Sequence, residues 1–320
     1  MAMRREHHGS GDQGIALLIV LWILTILMLL VFSFSYMART ETYATIAFKS
    51  GTEEKFFAEA GLERGIMEVF YRQFYKDQTV DIEGREIWRT DDTPYQGQIG
   101  DGLYTVRITN EQGKVDINTA SEVVLKNLFI NMGVQAEEAD TIVDSIMDWK
   151  DPDDLHRIHG AESDYYMSLP NPYKAKNADF DTLEELLLVK GMTSEILYGT
   201  KDKKGAIDFL TINSGQGEID INAAPKEVLM SIPGITAGLA DAIIDKRKDT
   251  EIKNLAEFAL PQESLRYVSA GEGGSAAYTI DSIGSRGNQK GGYAIRATVK
   301  IAGQDDYKIV YYKSPATIEP

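Results

Sequence analysis

The sequence predicts an α+β fold: a long N-terminal helix and an antiparallel sheet, with a large all-helical domain inserted between the sheet's strands. Three observations carry this. An apolar run near the N-terminus passes into a segment with helical spacing. Strand-like segments lie at two distant places in the chain. The residues between those places read as helix.

The helix comes first. Residues 15–34 form an apolar run broken only by Thr25 and Ser33, and no charged residue lies between Gly14 and Arg39. As a helix this run reaches roughly 30 Å, about the thickness of a bilayer core. A secretory signal is usually shorter and ends at a small-x-small site, whereas this run ends in Phe32, Phe34 and Tyr36. A plain anchor and a processed spine both fit better than a signal peptide. Arg4 and Arg5 precede the run, which places the N-terminus in the cytoplasm by the positive-inside rule. Further on, Ala58, Leu62, Ile66 and Val69 keep a helical spacing, joined by Phe56, Phe57, Phe70 and Phe74. The helix is therefore expected over residues 15–76, apolar all round at first and amphipathic later.

The strands come next. Residues 103–108 alternate as a half-buried strand does, and residues 114–117 begin a second one after a turn at Asn110 to Gly113. Their partners appear only at the far end, over 278–283, 293–301 and 307–312, after a glycine-rich link from Gly271 to Ser275. The expected organisation is a first part of the sheet domain over 77–117, a helical insert over 118–270, and completing strands over 271–320.

The insert contains an echo. Asp116-Ile117-Asn118-Thr119-Ala120-Ser121 recurs as Asp220-Ile221-Asn222-Ala223-Ala224-Pro225, and Glu, Val and Leu follow in each copy. Both read as a strand end entering a capped helix, with a capping box from Thr119 to Glu122 and Pro225 at an early helical position. The second copy runs on through Pro233-Gly234 and resembles a helix-hairpin-helix, a unit also found in SAM-like domains. Such hairpins can bind DNA phosphates through helix N-termini, with Lys246, Arg247, Lys248 and Lys253 as candidate cations. The formal net charge of −16 argues against nucleic acid. Packing is the preferred reading of the hairpins.

Composition excludes other classes. With no cysteine there is neither a disulfide framework nor a thiolate metal site. The paired His156 and His159 sit among loop-forming residues, His7 and His8 lie in the N-terminal segment, and no nucleophile has a recognisable base beside it. An enzyme is not expected.

One stretch is chemically distinct. Asp148-Trp149-Lys150-Asp151-Pro152-Asp153-Asp154 follows an amphipathic helix, and Gly160-Ala161-Glu162-Ser163-Asp164 comes soon after. Clustered carboxylates on such a loop are either solvated or bridged by a hard cation with several oxygen ligands, calcium above all. The spacing is not that of an EF-hand.

The junction at Gly14 and Ile15 resembles the prepilin peptidase site of type IV pilin-like proteins, where a polar leader ends in Gly and an apolar helix follows. The usual Glu at the fifth mature position is Ile19 here. That departure, the Asp148-Trp149-x-Asp151-x-Asp153 string, Gly160-Ala161-Glu162, Tyr165-Tyr166 and the Glu111-x-Gly113-Lys114-x-Asp116-Ile117-Asn118 segment together resemble the minor pseudopilin K family of type II secretion systems.

The resemblance implies several things. The fold is pilin-like, with residues 1–14 as a leader cleaved between Gly14 and Ile15 by prepilin peptidase, and N-terminal methylation follows. The protein is a non-enzymatic tip subunit of the pseudopilus that supports protein export across the outer membrane. It is anchored once in the inner membrane with its globular part in the periplasm, and its partners are the I- and J-type minor pseudopilins. The acidic loop binds calcium, with Asp148, Asp151, Asp153, Glu162 and Asp164 as candidate ligands. The other reading is a membrane-anchored helix-hairpin-helix protein of a DNA-uptake machinery.

Overall fold

The computed structural model describes residues 11–75, 88–271, 277–287, 292–303 and 306–318. Arg4, Arg5, His7, His8 and the glycine-rich link beyond Gly271 lie outside the described residues.

One helix, α1 (Gly11–Tyr75), runs unbroken through the apolar run and the amphipathic segment. Its apolar window is long enough to cross a membrane and is bare of protein contacts. Thr25, within that window, donates its hydroxyl to the Trp22 carbonyl at 2.8 Å, which removes the cost of an unpaired polar group in apolar surroundings. The second half of α1 is different. Ala58, Leu62, Ile66 and Val69 are buried there, on the face that the spacing singled out.

What covers them is a five-stranded antiparallel sheet. β1 (Asp91–Ile99) and β2 (Gly102–Asn110) form a hairpin ahead of the insert. After the insert, three further strands cover Ala277–Arg286, Tyr293–Ile301 and Tyr307–Lys313. The first of these pairs with β2, so the sheet closes across the insert. Alternation puts Val106, Ile108, Tyr278, Ile280, Ile295, Ala297 and Val299 on the face against α1. The opposite face is polar, with Thr279, Asp281, Arg296 and Thr298 turned toward the insert, where a cleft of about 490 Å³ separates the two. On the sheet side of the cleft, Asp281 and Arg296 stand opposite each other on neighbouring strands and pair bidentately at 2.6 Å.

At Gly284 the helix and sheet touch through their backbones. A Cβ there meets the Glu54 carbonyl and the Ala58 nitrogen, so only glycine permits the approach.

The insert has its own core, from Val115 to Val268. Its elements are β3 (Val115–Asp116), α2 (Glu122–Asn131), α3 (Ala136–Lys150), α4 (Ser163–Met167), α5 (Ser194–Tyr198), β4 (Gly199–Thr200), β5 (Lys203–Lys204), β6 (Leu210–Thr211), β7 (Ile219–Asp220), α6 (Lys226–Ser231), α7 (Ala237–Asp249) and β8 (Val268–Ser269). The three later head strands are thus β9, β10 and β11. The sequence predicts an all-helical insert, and the structure corrects this, because short strand pairs are built into it. β3 pairs in parallel with β6, and β7 with β8. The insert also begins earlier than residue 118. Val115 and Asp116 join Leu210 and Thr211 rather than the head sheet.

The echo in the sequence is an echo in structure. Asp116 accepts from the Asn118 nitrogen and Asp220 from the Asn222 nitrogen, both at 2.9 Å. Asn118 then clasps both backbone groups of Phe180, and Asn222 those of Ile252. Lys150 donates to the carbonyls of Ile117 and Asn118, and Arg247 to those of Ile221 and Ala224. The clasp spans 62 residues in the first copy and 30 in the second. The acidic loop lies in the longer one.

Candidate metal centre

The loop leaves the C-terminal end of α3 and returns to the Asn118 clasp at Phe180. Trp149 holds both ends. Its ring lies 5.2 Å from Tyr166, edge to face, and 6.5 Å from Phe180, stacked, while its carbonyl accepts from the Asn177 nitrogen at 2.9 Å. Lys190 ties down the middle, donating to the carbonyls of His159 and Gly160 at 3.1 and 2.9 Å. An aromatic base and a lysine clamp thus fix a chain segment rich in like charges.

Within it, carboxylate oxygens of Asp151, Asp153 and Glu162 lie within 4.8 Å of one another. Asp153 keeps its turn by accepting from the Leu155 nitrogen at 2.8 Å. Glu162 stands at the N-cap of α4, yet its side chain does not cap that helix. It is 1% exposed, and both its carboxylate oxygens lack a hydrogen-bond partner. Asp151 Oδ1 is likewise buried and unpartnered. Unpaired buried anions are costly, and a group of three carboxylates in which Asp151 and Glu162 carry such bare oxygens fits a hard cation.

Electrostatics agree. Burial, then the charges of Asp148, Asp151, Asp154 and Asp153, push the Glu162 carboxyl up to about 7. A divalent ion would supply the missing counter-charge. The donors are all oxygens, which favours calcium over a transition metal.

The other two sequence candidates lie differently. Asp148 is fully buried on α3, and both of its oxygens accept from Arg157. Burial raises its carboxyl above the ordinary value, and the Arg157 bonds only partly offset this. Asp164 is exposed and accepts from the adjacent Tyr165 nitrogen at 2.7 Å. The structure brings Asp151, Asp153 and Glu162 into one group, places Asp148 behind it, and leaves Asp164 on the surface. Arg157 was not singled out from sequence. Its signal is that no other Lys or Arg lies between Lys150 and Lys174.

The bases of the second hairpin face other partners. Arg247 turns inward to two carbonyls, Lys248 pairs with Asp245 at 2.8 Å, and Lys246 lies 3.8 Å from Glu257.

A helix bare over its apolar half and packed against an antiparallel sheet over the other half is a pilin-like layout, and the bare half fits a single-pass membrane anchor by length and composition. Family models described as type II secretion system protein K match residues 103–199 and 219–278, so the chain is similar to that family over both stretches. Type II secretion system protein K of Aeromonas hydrophila is 27% identical over 203 residues, which cover 57% of this chain and 60% of the relative. The protein K of Pectobacterium carotovorum is 34% identical over 73 residues, covering 23% of this chain and 22% of the relative. Thus the chain spans 60% or less of the length of these relatives. In the crystal structure of the GspK-GspI-GspJ complex from the enterotoxigenic Escherichia coli type 2 secretion system, one chain shares this fold. The TM-score is 0.54 at 13% identity, covering 88% of this chain and 99% of that one.

Proposed function

We propose that this chain is a minor pseudopilin at the tip of a type II secretion pseudopilus. The observation that carries this is the two-part α1: its apolar half has no protein cover, while its other half is the backing of the head sheet. In the membrane the bare half is an anchor, and in a filament it packs against the helices of other subunits. The globular part lies in the periplasm, and the role is structural rather than enzymatic. A protein K chain of similar fold occurs in a solved complex with GspI and GspJ, and partners of the same two types are inferred here.

Processing between Gly14 and Ile15 by prepilin peptidase makes Ile15 the mature, methylated N-terminus. With Ile19 at the fifth mature position, the chain lacks the carboxylate by which an ordinary subunit meets a neighbour's terminal amine. That suits a position with nothing above it, and the insert adds bulk against further growth. The two helical hairpins, of the helix-hairpin-helix or SAM-like kind, are read as packing units of this insert.

The insert's acidic loop is read as a calcium site, with Asp151, Asp153 and Glu162 as the protein ligands. Calcium there supplies charge that stitches the loop, and the chain's own residues orient the oxygens and exclude water from Glu162.

The deciding experiment is the intact mass of the membrane-extracted protein, made with and without prepilin peptidase. A start at Ile15 only when the peptidase is present supports the pseudopilin reading. A leader retained in both samples reduces the chain to a simple anchor and overturns it.

A further inference from the structure

Arg157 sits inside the acidic loop and divides it. Its backbone nitrogen donates to both oxygens of Asp148, at 3.3 and 3.0 Å. Its Nη1 donates to Asp148 Oδ1 at 3.0 Å and to Asp151 Oδ2 at 2.9 Å, and its Nε reaches Glu122 at 3.3 Å. Gly160 has no Cβ, and one there would strike Asp148 Oδ2, so the chain closes over this pair tightly.

The consequence is an uneven sharing of oxygens. Both Asp148 oxygens and Asp151 Oδ2 are committed to Arg157. Asp151 Oδ1 and both oxygens of Glu162 are buried and bare. Asp151 therefore has one oxygen bonded to a guanidinium and one left bare, and the same carboxylate belongs to the group with Asp153 and Glu162.

We propose that Arg157 is a tethered cation that fills one half of this acidic centre and limits it to a single divalent ion, which rests on the calcium reading above. Asp148, Asp151, Asp153 and Glu162 carry four negative charges when ionised. The guanidinium and one divalent ion leave one of these uncompensated. Two divalent ions without the guanidinium compensate all four. Removing the guanidinium leaves Asp148, which is 0% exposed, with the backbone N–H of residue 157 but no counter-charge, a buried anion that attracts a replacement cation. Burial works against the charge on Arg157, but its bonds to Asp151 and Asp148 outweigh this and hold its guanidinium above the ordinary value.

The test counts calcium ions on the detergent-solubilised full chain by equilibrium dialysis against radiolabelled calcium. The wild type is expected to hold one ion, Arg157→Gln two, and Arg157→Lys, which keeps the charge, one. A single ion on Arg157→Gln with wild-type affinity overturns the proposal while leaving the calcium reading intact. So do two ions on the wild type. No ion on the wild type brings down both. Should Arg157→Gln fail to accumulate, Asp148→Asn decides: because Asp148 faces the guanidinium and not the ion, this variant is expected to keep one ion, and loss of that ion overturns the proposal.

Discussion

Glu111 accepts a hydrogen bond from Thr279 at 2.8 Å across the boundary between insert and head. The other oxygen of its carboxylate accepts from Thr211 on β6, while Lys114 pairs with the same oxygen as Thr279, at 2.8 Å. One buried acid thus joins a strand of each unit. Burial works against its ionised form, but Lys114's charge and the bonds from Lys114, Thr211 and Thr279 outweigh it, holding the carboxyl below its ordinary value of 4.5. A depressed carboxyl contributes stability above the unfolded-state value and loses it as pH falls through the folded one. Glu111→Gln is expected to cost about 1–3 kcal/mol at pH 7. The gap from wild type should close as pH falls below 4.5, measured by urea unfolding in detergent. A gap independent of pH contradicts the assignment.

Glu162 predicts the opposite sign. Its carboxyl is raised from 4.5 to about 7, so its contribution to calcium-free stability is full below 4.5 and is lost as pH rises through about 7. Calcium reverses this by compensating the ionised form. Calcium's effect on the melting temperature, measured against a chelator, is expected to grow between pH 5 and 8 and to vanish in Glu162→Gln. A calcium effect equal at both pH values removes Glu162 from the site.

The two asparagine clasps separate structure from ion binding. Asn118→Ala and Asn222→Ala each remove two backbone partners, at a cost of about 1–3 kcal/mol. Only Asn118 closes the acidic loop, so only its variant is expected to weaken calcium binding. Equal weakening in both, read by calcium titration, contradicts a local role for the clasp.

Gly284→Ala places a methyl group against the α1 backbone. The helix and sheet must part, at about 1–3 kcal/mol for overpacking. Thermal unfolding followed by Trp88 fluorescence reads this, since Trp88 packs against the head core. An unchanged midpoint means the helix moves freely on the sheet.

Much of this architecture was legible in the residues. Ala58, Leu62, Ile66 and Val69 announce their face by spacing, and the strand over 293–301 announces itself by composition. β1 did not, because Pro94, Gly97 and the left-handed Asp92 (φ 70°) break the pattern of an edge strand that also carries a register shift. A strand was expected at 114–117 and a strand end at Asp220, where β3 and β7 lie, but their partners β6 and β8 escaped for another reason. Two residues cannot show alternation, and their parallel partners lie far off in sequence. At the acidic loop the residue types were visible, but their sharing was not. Nothing in the spacing tells that Asp148 turns to Arg157 while Glu162 stays bare, since that depends on where Trp149 and Lys190 pin the chain.

The paired clasps bear on how this insert can change. The Asn222 copy closes over a short path and is frame alone, which marks the minimum that the unit needs to stand. Everything extra between α3 and Phe180 in the other copy is a detour hung between two fixed posts. Such a detour can be lengthened, recharged or exchanged while the posts stay put, so the chemistry of the loop is free to drift at little risk to the folding of the insert.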